Sequence, residues 1–181
     1  MGFSIGKRYF KIGSYSKRSI RLFLFNSTFI YNFLKGFEMQ IMVCGSIGYG
    51  GIDEIGRLYS FLLNEGFGIV DHLVSKGADY SDIKDFRDKK DLSHQIVNHD
   101  LEYVKKADVL VVLANRPSYG TAIEMFIAKS SGKRVVLFAK DPVPTPWPIN
   151  FADDITTSEE ELFKLLHKLE QVNNTSYSNF L

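Results

Sequence analysis

Two carboxylates stand where an acidic side chain needs a reason. Asp100 falls in a run whose apolar residues Leu92, Ile96, Val97, Leu101 and Val104 recur at helical spacing. With Ile96 set at zero, that stripe extends from about −40° to about 140°, and Asp100 falls near 40°, inside it. A carboxylate facing a core resists ionisation, and a neutral carboxyl is what a general acid requires. An internal ion pair with Lys or Arg is the alternative reading. Glu124 follows Ser118-Tyr119-Gly120-Thr121, a segment expected to open a helix, and the spacing puts it in the first turn. It serves either the helix dipole alone or chemistry that needs an ionised carboxylate. One protonated and one ionised carboxylate in one site suit retaining substitution at an anomeric carbon.

Around them lie groups suited to hold a ligand. Gly45-Ser46-Ile47-Gly48-Tyr49-Gly50-Gly51 follows an apolar run and precedes a helical period. Glycines there let backbone approach a ligand closely and aim N–H groups at an anion. The dinucleotide pattern fails at Asp53, where a third glycine belongs, and the phosphate-loop pattern fails because no Lys-Ser/Thr follows Gly50. Ligand contact and a simple tight turn both remain open for this loop. Ser118, Gly120 and Thr121 offer a second helix N-terminus with free N–H donors. His72, after the second strand, is either a satisfied residue or a site residue. His94 and His99 are five apart, which puts their rings on different helix faces, so no metal site is expected.

The elements that must position these residues alternate in type. Strands are expected at Gln40–Cys44, Gly68–Asp71, Val109–Leu113, Arg134–Phe138 and near Asp154–Thr156. Helices are expected over 53–65, from an N-cap at Ser93 to about Lys106, over 121–131, and from Ser158 to about Val172. The run Pro142, Pro144, Pro146, Pro148 reads as a stiff loop. Alternating helices and apolar strands mean a parallel sheet covered on both faces. The fold class expected is therefore α/β, a flavodoxin-like doubly wound five-stranded parallel sheet in a single domain, with strand order 2-1-3-4-5. Ligands in such a sheet bind beyond the strand carboxyl ends, at the switch point between the first and third strands.

Composition sets the outer bounds. The chain has 181 residues, one cysteine (Cys44) and a net charge of +1, which excludes an intrachain disulfide framework and argues against nucleic-acid binding. Residues 1–38 differ in kind. They hold seven Lys/Arg against one acid and seven of the fifteen Phe, while the remainder carries fifteen basic and twenty acidic residues, a net of −5. We read 1–38 as an extension outside the fold, 39–172 as the catalytic domain and 173–181 as a frayed tail. The uncharged run Leu22–Leu34 is shorter than the ~20 residues a membrane span needs, so a membrane partner is not expected and a cytoplasmic location is.

The set CGSI with Gly50-Gly51, Asp71-His72, His99–Val112 (HDLEYVKKADVLVV) and Pro117–Glu124 (PSYGTAIE) resembles the nucleoside 2-deoxyribosyltransferase superfamily. Within it, the likeness is closest to the 2′-deoxynucleoside 5′-phosphate N-hydrolases, and it covers about Met39 to Phe138. The resemblance implies cleavage of an N-glycosidic bond without a cofactor, with Glu124 as nucleophile on C1′ and Asp100 assisting the leaving base. It implies that Gly45, Ser46, Gly50, Gly51, Ser118 and Gly120 hold the sugar and 5′-phosphate, and that Ile47 and His72 border the base. It also implies a homodimer with a shared active site, for which Thr145 is a candidate contributor. Gly48 stands where the N-hydrolases carry an Arg, leaving Arg57 or Arg116 to supply that charge. Thr121 matches the transferases better. Hydrolase, base-exchanging transferase and non-catalytic nucleotide-binding module stay open at this point.

Overall fold

A computed structural model describes residues 38–47, 51–73 and 80–178, with side chains through residue 173. The extension 1–37, Gly48 and Gly50 lie outside the described residues. Residues from Glu38 onward form an α/β domain around one sheet of five parallel strands in the order β2-β1-β3-β4-β5. The strands are β1 (Gln40–Cys44), β2 (Gly68–Ile69), β3 (Val109–Leu113), β4 (Arg134–Phe138) and β5 (Asp154–Thr156). The helices are α1 (Gly51–Asn64), α2 (Lys90–Lys106), α3 (Tyr119–Ser130), α4 (Pro146–Phe151) and α5 (Glu159–Ser178). The flavodoxin-like doubly wound architecture and its strand order are as expected from the alternation of apolar runs and helical periods.

Strand parity builds two cores. Ile41, Val43, Val109, Val111, Val136 and Phe138 point to one face, where Ile55, Leu58 and Leu62 of α1 and Leu162 and Leu166 of α5 cover them. Met42, Cys44, Leu110, Val112, Val135 and Leu137 point to the other, under Val104 of α2 and Met125 and Ala128 of α3. Every residue of β3 is buried, which is why the central strand reads as an uninterrupted apolar run. Cys44 pairs with Val112 in the β1–β3 register, so the carboxyl ends of these two strands lie side by side.

Six elements depart from the expected bounds: β2 stops at Ile69, short of Asp71, α1 spans Gly51–Asn64 in place of 53–65, and the other four are helices. Helix α2 begins at Lys90, a turn before Ser93; the Ser93 hydroxyl donates to the Lys89 carbonyl at 2.9 Å instead of capping. Helix α3 begins at Tyr119, so Glu124 is its sixth residue and lies in the second turn, not the first. The proline run is not all loop. Pro146 and Pro148 sit in the first turn of α4, where the missing N–H has no helical acceptor to lose. Helix α5 continues past Val172 to Ser178. Gly66 (φ 88°) and Gly132 (φ 74°) follow α1 and α3 in left-handed backbone, the conformation that ends a helix most readily at glycine.

Candidate active site

Helix α3 presents Thr121, Glu124, Met125 and Ala128 as its buried stripe. That spacing, i, i+3, i+4 and i+7, is one helix face, and it lies against the sheet face that carries Cys44. Glu124 is thereby sunk to 7% exposure at the carboxyl end of the sheet. Its carboxylate accepts a hydrogen bond from the Cys44 thiol and feels the charge of Asp100. Asp100 arrives from α2 on the face shared with Ile96 and Val104, half-buried and with no hydrogen-bonded or ion-paired Lys or Arg among the described residues. The two carboxylates expected to act together are near enough for the charge of Asp100 to act on Glu124.

The electrostatics follow from this burial. Loss of solvation raises Glu124 to about 7, with the neighbouring Asp100 charge adding to the rise and the Cys44 hydrogen bond opposing it. Desolvation raises Asp100 to about 6, with His99 pulling it down. Burial thus holds both carboxyls toward the protonated form.

Two further groups face the carboxylates and were not singled out for chemistry. Cys44 is fully buried, and desolvation together with Glu124 keeps its thiol protonated. Tyr80, half-buried on the segment before α2, is pushed up to about 12 by burial and by the charges of Asp100 and Glu124. Neither could be placed from sequence, because Tyr80 sits in an irregular polar stretch and Cys44 reads as an ordinary strand residue.

The glycine loop divides by role. A Cβ on Gly51 would fall 1.6 Å from the Ser46 carbonyl oxygen, so Ser46 lies against the start of α1 only because that position is bare. Gly45 passes 3.1 Å from the Leu113 Cβ by the same measure. Gly120 is different: the nearest atom to its hypothetical Cβ is Ser118 Oγ at 3.8 Å, leaving open space at the α3 N-terminus. Ser118 is the N-cap, its Oγ accepting from Thr121 N–H at 3.4 Å. The Thr121 hydroxyl is buried without a partner among the described residues. Ile47 is buried in the core beside α1.

His72 is turned inward, 1% exposed. Its Nδ1 lies 3.1 Å from the Tyr59 hydroxyl, which also accepts from Val43 N–H and reaches the Val70 carbonyl. Burial lowers the imidazole to about 4, so the ring is neutral. His99 Nε2 donates to the His72 carbonyl at 2.9 Å. This chain ties the ends of β1 and β2 to α2, and with it the helix that carries Asp100.

Two clefts open beside this centre. One of about 770 Å³ lies between α3 and α4, lined by Arg116, Ser118, Thr121, Phe126, Trp147 and Phe151 among others. A smaller one, about 350 Å³, holds Arg57 and Lys140 together with Glu54, Asp141 and Glu159. Neither cleft is lined by Glu124 or Asp100. Among the described residues there is no cluster of His, Cys, Asp and Glu able to hold a metal ion, and no helix long and apolar enough to cross a membrane.

No protein-family model matches the chain, and the sequence of no curated protein does. Among solved structures, the fold is similar to that of the Clostridium botulinum CMP N-glycosidase BcmB. The two are 17% identical with a TM-score of 0.44, and the likeness covers 72% of this chain and 98% of that one.

Proposed function

We propose that this chain belongs with the nucleoside 2-deoxyribosyltransferase-like enzymes and hydrolyses the N-glycosidic bond of (deoxy)nucleoside 5′-monophosphates. The observation that carries the reading is the pair Glu124 and Asp100, both raised by burial, with Glu124 near enough to feel the Asp100 charge. Glu124 attacks C1′ and the C1′–N bond breaks. Its electron pair leaves with the base, whose nitrogen takes the proton from Asp100. Water then attacks C1′ and the Asp100 carboxylate accepts its proton. The C1′–O bond to Glu124 breaks, returning the free carboxylate and sugar 5-phosphate.

Gly45, Ser46, Gly50, Gly51, Ser118 and Gly120 hold the sugar phosphate in this reading, whereas Ile47 and His72, expected beside the base, are buried in the core and support the site from beneath. Of the two cations that could stand in for the Arg missing at Gly48, Arg116 is favoured. It shares a cleft with Ser118 and the unpartnered Thr121 hydroxyl, whereas the cleft of Arg57 also holds three acids that would repel a phosphate. A second copy of the chain covers the apolar face formed by Tyr119, Ile123, Phe126, Trp147 and Ile149. These residues are 94%, 53%, 52%, 63% and 45% exposed and run up to the Ser118 end of the site.

Incubation with a panel of deoxynucleoside and nucleoside 5′-monophosphates, with free base followed by chromatography, tests the reading. Base release supports it, and no release from any member overturns it. Adding a second free base separates the alternatives, because a base-exchange product marks a transferase and its absence marks water as the acceptor.

A further inference from the structure

Cys44 is the only cysteine in the chain, and nothing in the reaction as written uses it. It ends β1 on the sheet face shared with Met42, under α3, in the same cluster as Met125 and Ala128. Glu124 precedes Met125 on the buried stripe of that helix. A strand end and a helix face are thereby locked together by core packing, with a thiol and a carboxylate at the point of contact. Both side chains are nearly inaccessible, at 1% and 7% exposure.

We propose that Cys44 is a positioning residue whose S–H donates to the Glu124 carboxylate and fixes its direction for attack. The inference rests on the reading of Glu124 as nucleophile. A buried carboxylate next to another carboxylate has every electrostatic reason to turn away or keep its proton. A neutral donor on a rigid strand opposes both tendencies. Burial keeps the thiol in its protonated form, so the direction of the bond is set: sulfur gives, carboxylate receives. A thiol is a weak donor, which suits a group that must be held yet remain free to form a bond to carbon. Cys44 touches no substrate atom in this role and acts only through Glu124. The other titratable groups facing Glu124 are Asp100 from α2 and Tyr80 from the segment before it.

The test uses the full chain with ¹³C-carboxyl-labelled glutamate and follows the Glu124 titration by NMR without substrate. Cys44→Val removes the donor while keeping an apolar strand residue, and should move the Glu124 midpoint to higher pH. Cys44→Ser restores a donor and should return the midpoint to the wild-type value or below. In kinetics, each unit of upward movement lowers kcat/KM on the acid limb about tenfold, while KM stays unchanged because binding is untouched. Should valine fail to pack, Cys44→Ala makes the same comparison. A midpoint unmoved by loss of the thiol, with Glu124→Gln inactive, overturns the role of Cys44 alone. Full base release by Glu124→Gln overturns the nucleophile and this role with it.

Discussion

Glu124 and Asp100 titrate as a coupled pair, and the coupling has kinetic consequences. With burial raising Glu124 to about 7 and Asp100 to about 6, the pair loses its two protons over that range, and the competent form is the singly protonated one. The expected kcat/KM profile is therefore a narrow bell centred between pH 6 and 7, checked by initial rates from pH 4.5 to 9. Glu124→Gln should lower kcat at least about 10³-fold, since the amide cannot form the glycosyl ester. Asp100→Asn should cost about 10²–10⁴-fold, less for substrates whose base leaves without protonation. Stability carries the same signature. A carboxyl whose folded pKa is raised favours the native state below its unfolded value, and that advantage is lost as pH rises through the folded value. Unfolding free energy should thus fall between about pH 4.5 and 7. Glu124→Gln at pH 8 should recover on the order of 2–3 kcal/mol, read from urea midpoints.

At the scale of elements, the two glycines flanking the site separate stability from binding. Gly51 opens α1 with no room for a methyl group, its Cβ position falling on the Ser46 carbonyl. Gly51→Ala should destabilise by about 1–3 kcal/mol, lowering Tm by several degrees in a thermal melt. Gly120 has open space at the same measure and lies inside α3, where alanine is the better helix former. Gly120→Ala should leave Tm unchanged or slightly raised while increasing KM, because the methyl group enters the space proposed for the sugar phosphate. A fall in Tm with unchanged KM for Gly120→Ala would place the ligand elsewhere.

For the whole molecule, the question is what covers the outer face of α3 and α4. Trp147 and Phe126, both more than half exposed, flank a cleft of about 770 Å³. Contiguous apolar surface of this kind marks an interaction site. Trp147→Glu together with Phe126→Asp should convert a dimer to a monomer by sedimentation, and lower activity if the partner completes the site. An unaltered sedimentation coefficient would leave that face without a second copy. At the other end of the chain, Met39 is 1% exposed and part of the core, so a protein starting there should retain fold and activity. A large drop in Tm would make residues 1–38 part of the structure.

The sheet was legible from sequence because strands buried on both faces need apolar residues at every position, whatever their neighbours turn out to be. Gln40–Cys44, Val109–Leu113 and Arg134–Phe138 match to the residue. Asp100 was legible for a related reason, since a carboxylate inside an apolar stripe violates a local pattern. Local patterns are weaker at element ends. Ser93 has the chemistry of a cap, but its hydroxyl donates back to the Lys89 carbonyl and the helix opens a turn earlier, at Lys90. Pro146 and Pro148 deny a helix interior yet fit a helix start. Val97, counted in the buried stripe, is 53% exposed, since α2 is covered on one side only. What tertiary structure alone decided is which side chains share a space. Cys44, Tyr80, Asp100 and Glu124 come from four separate segments spanning 80 positions, and no periodicity relates them. The inward turn of His72 onto Tyr59 and the burial that raises both carboxyls are of the same kind. Each is set by distance and desolvation, which exist only once the strand ends and helix faces have met.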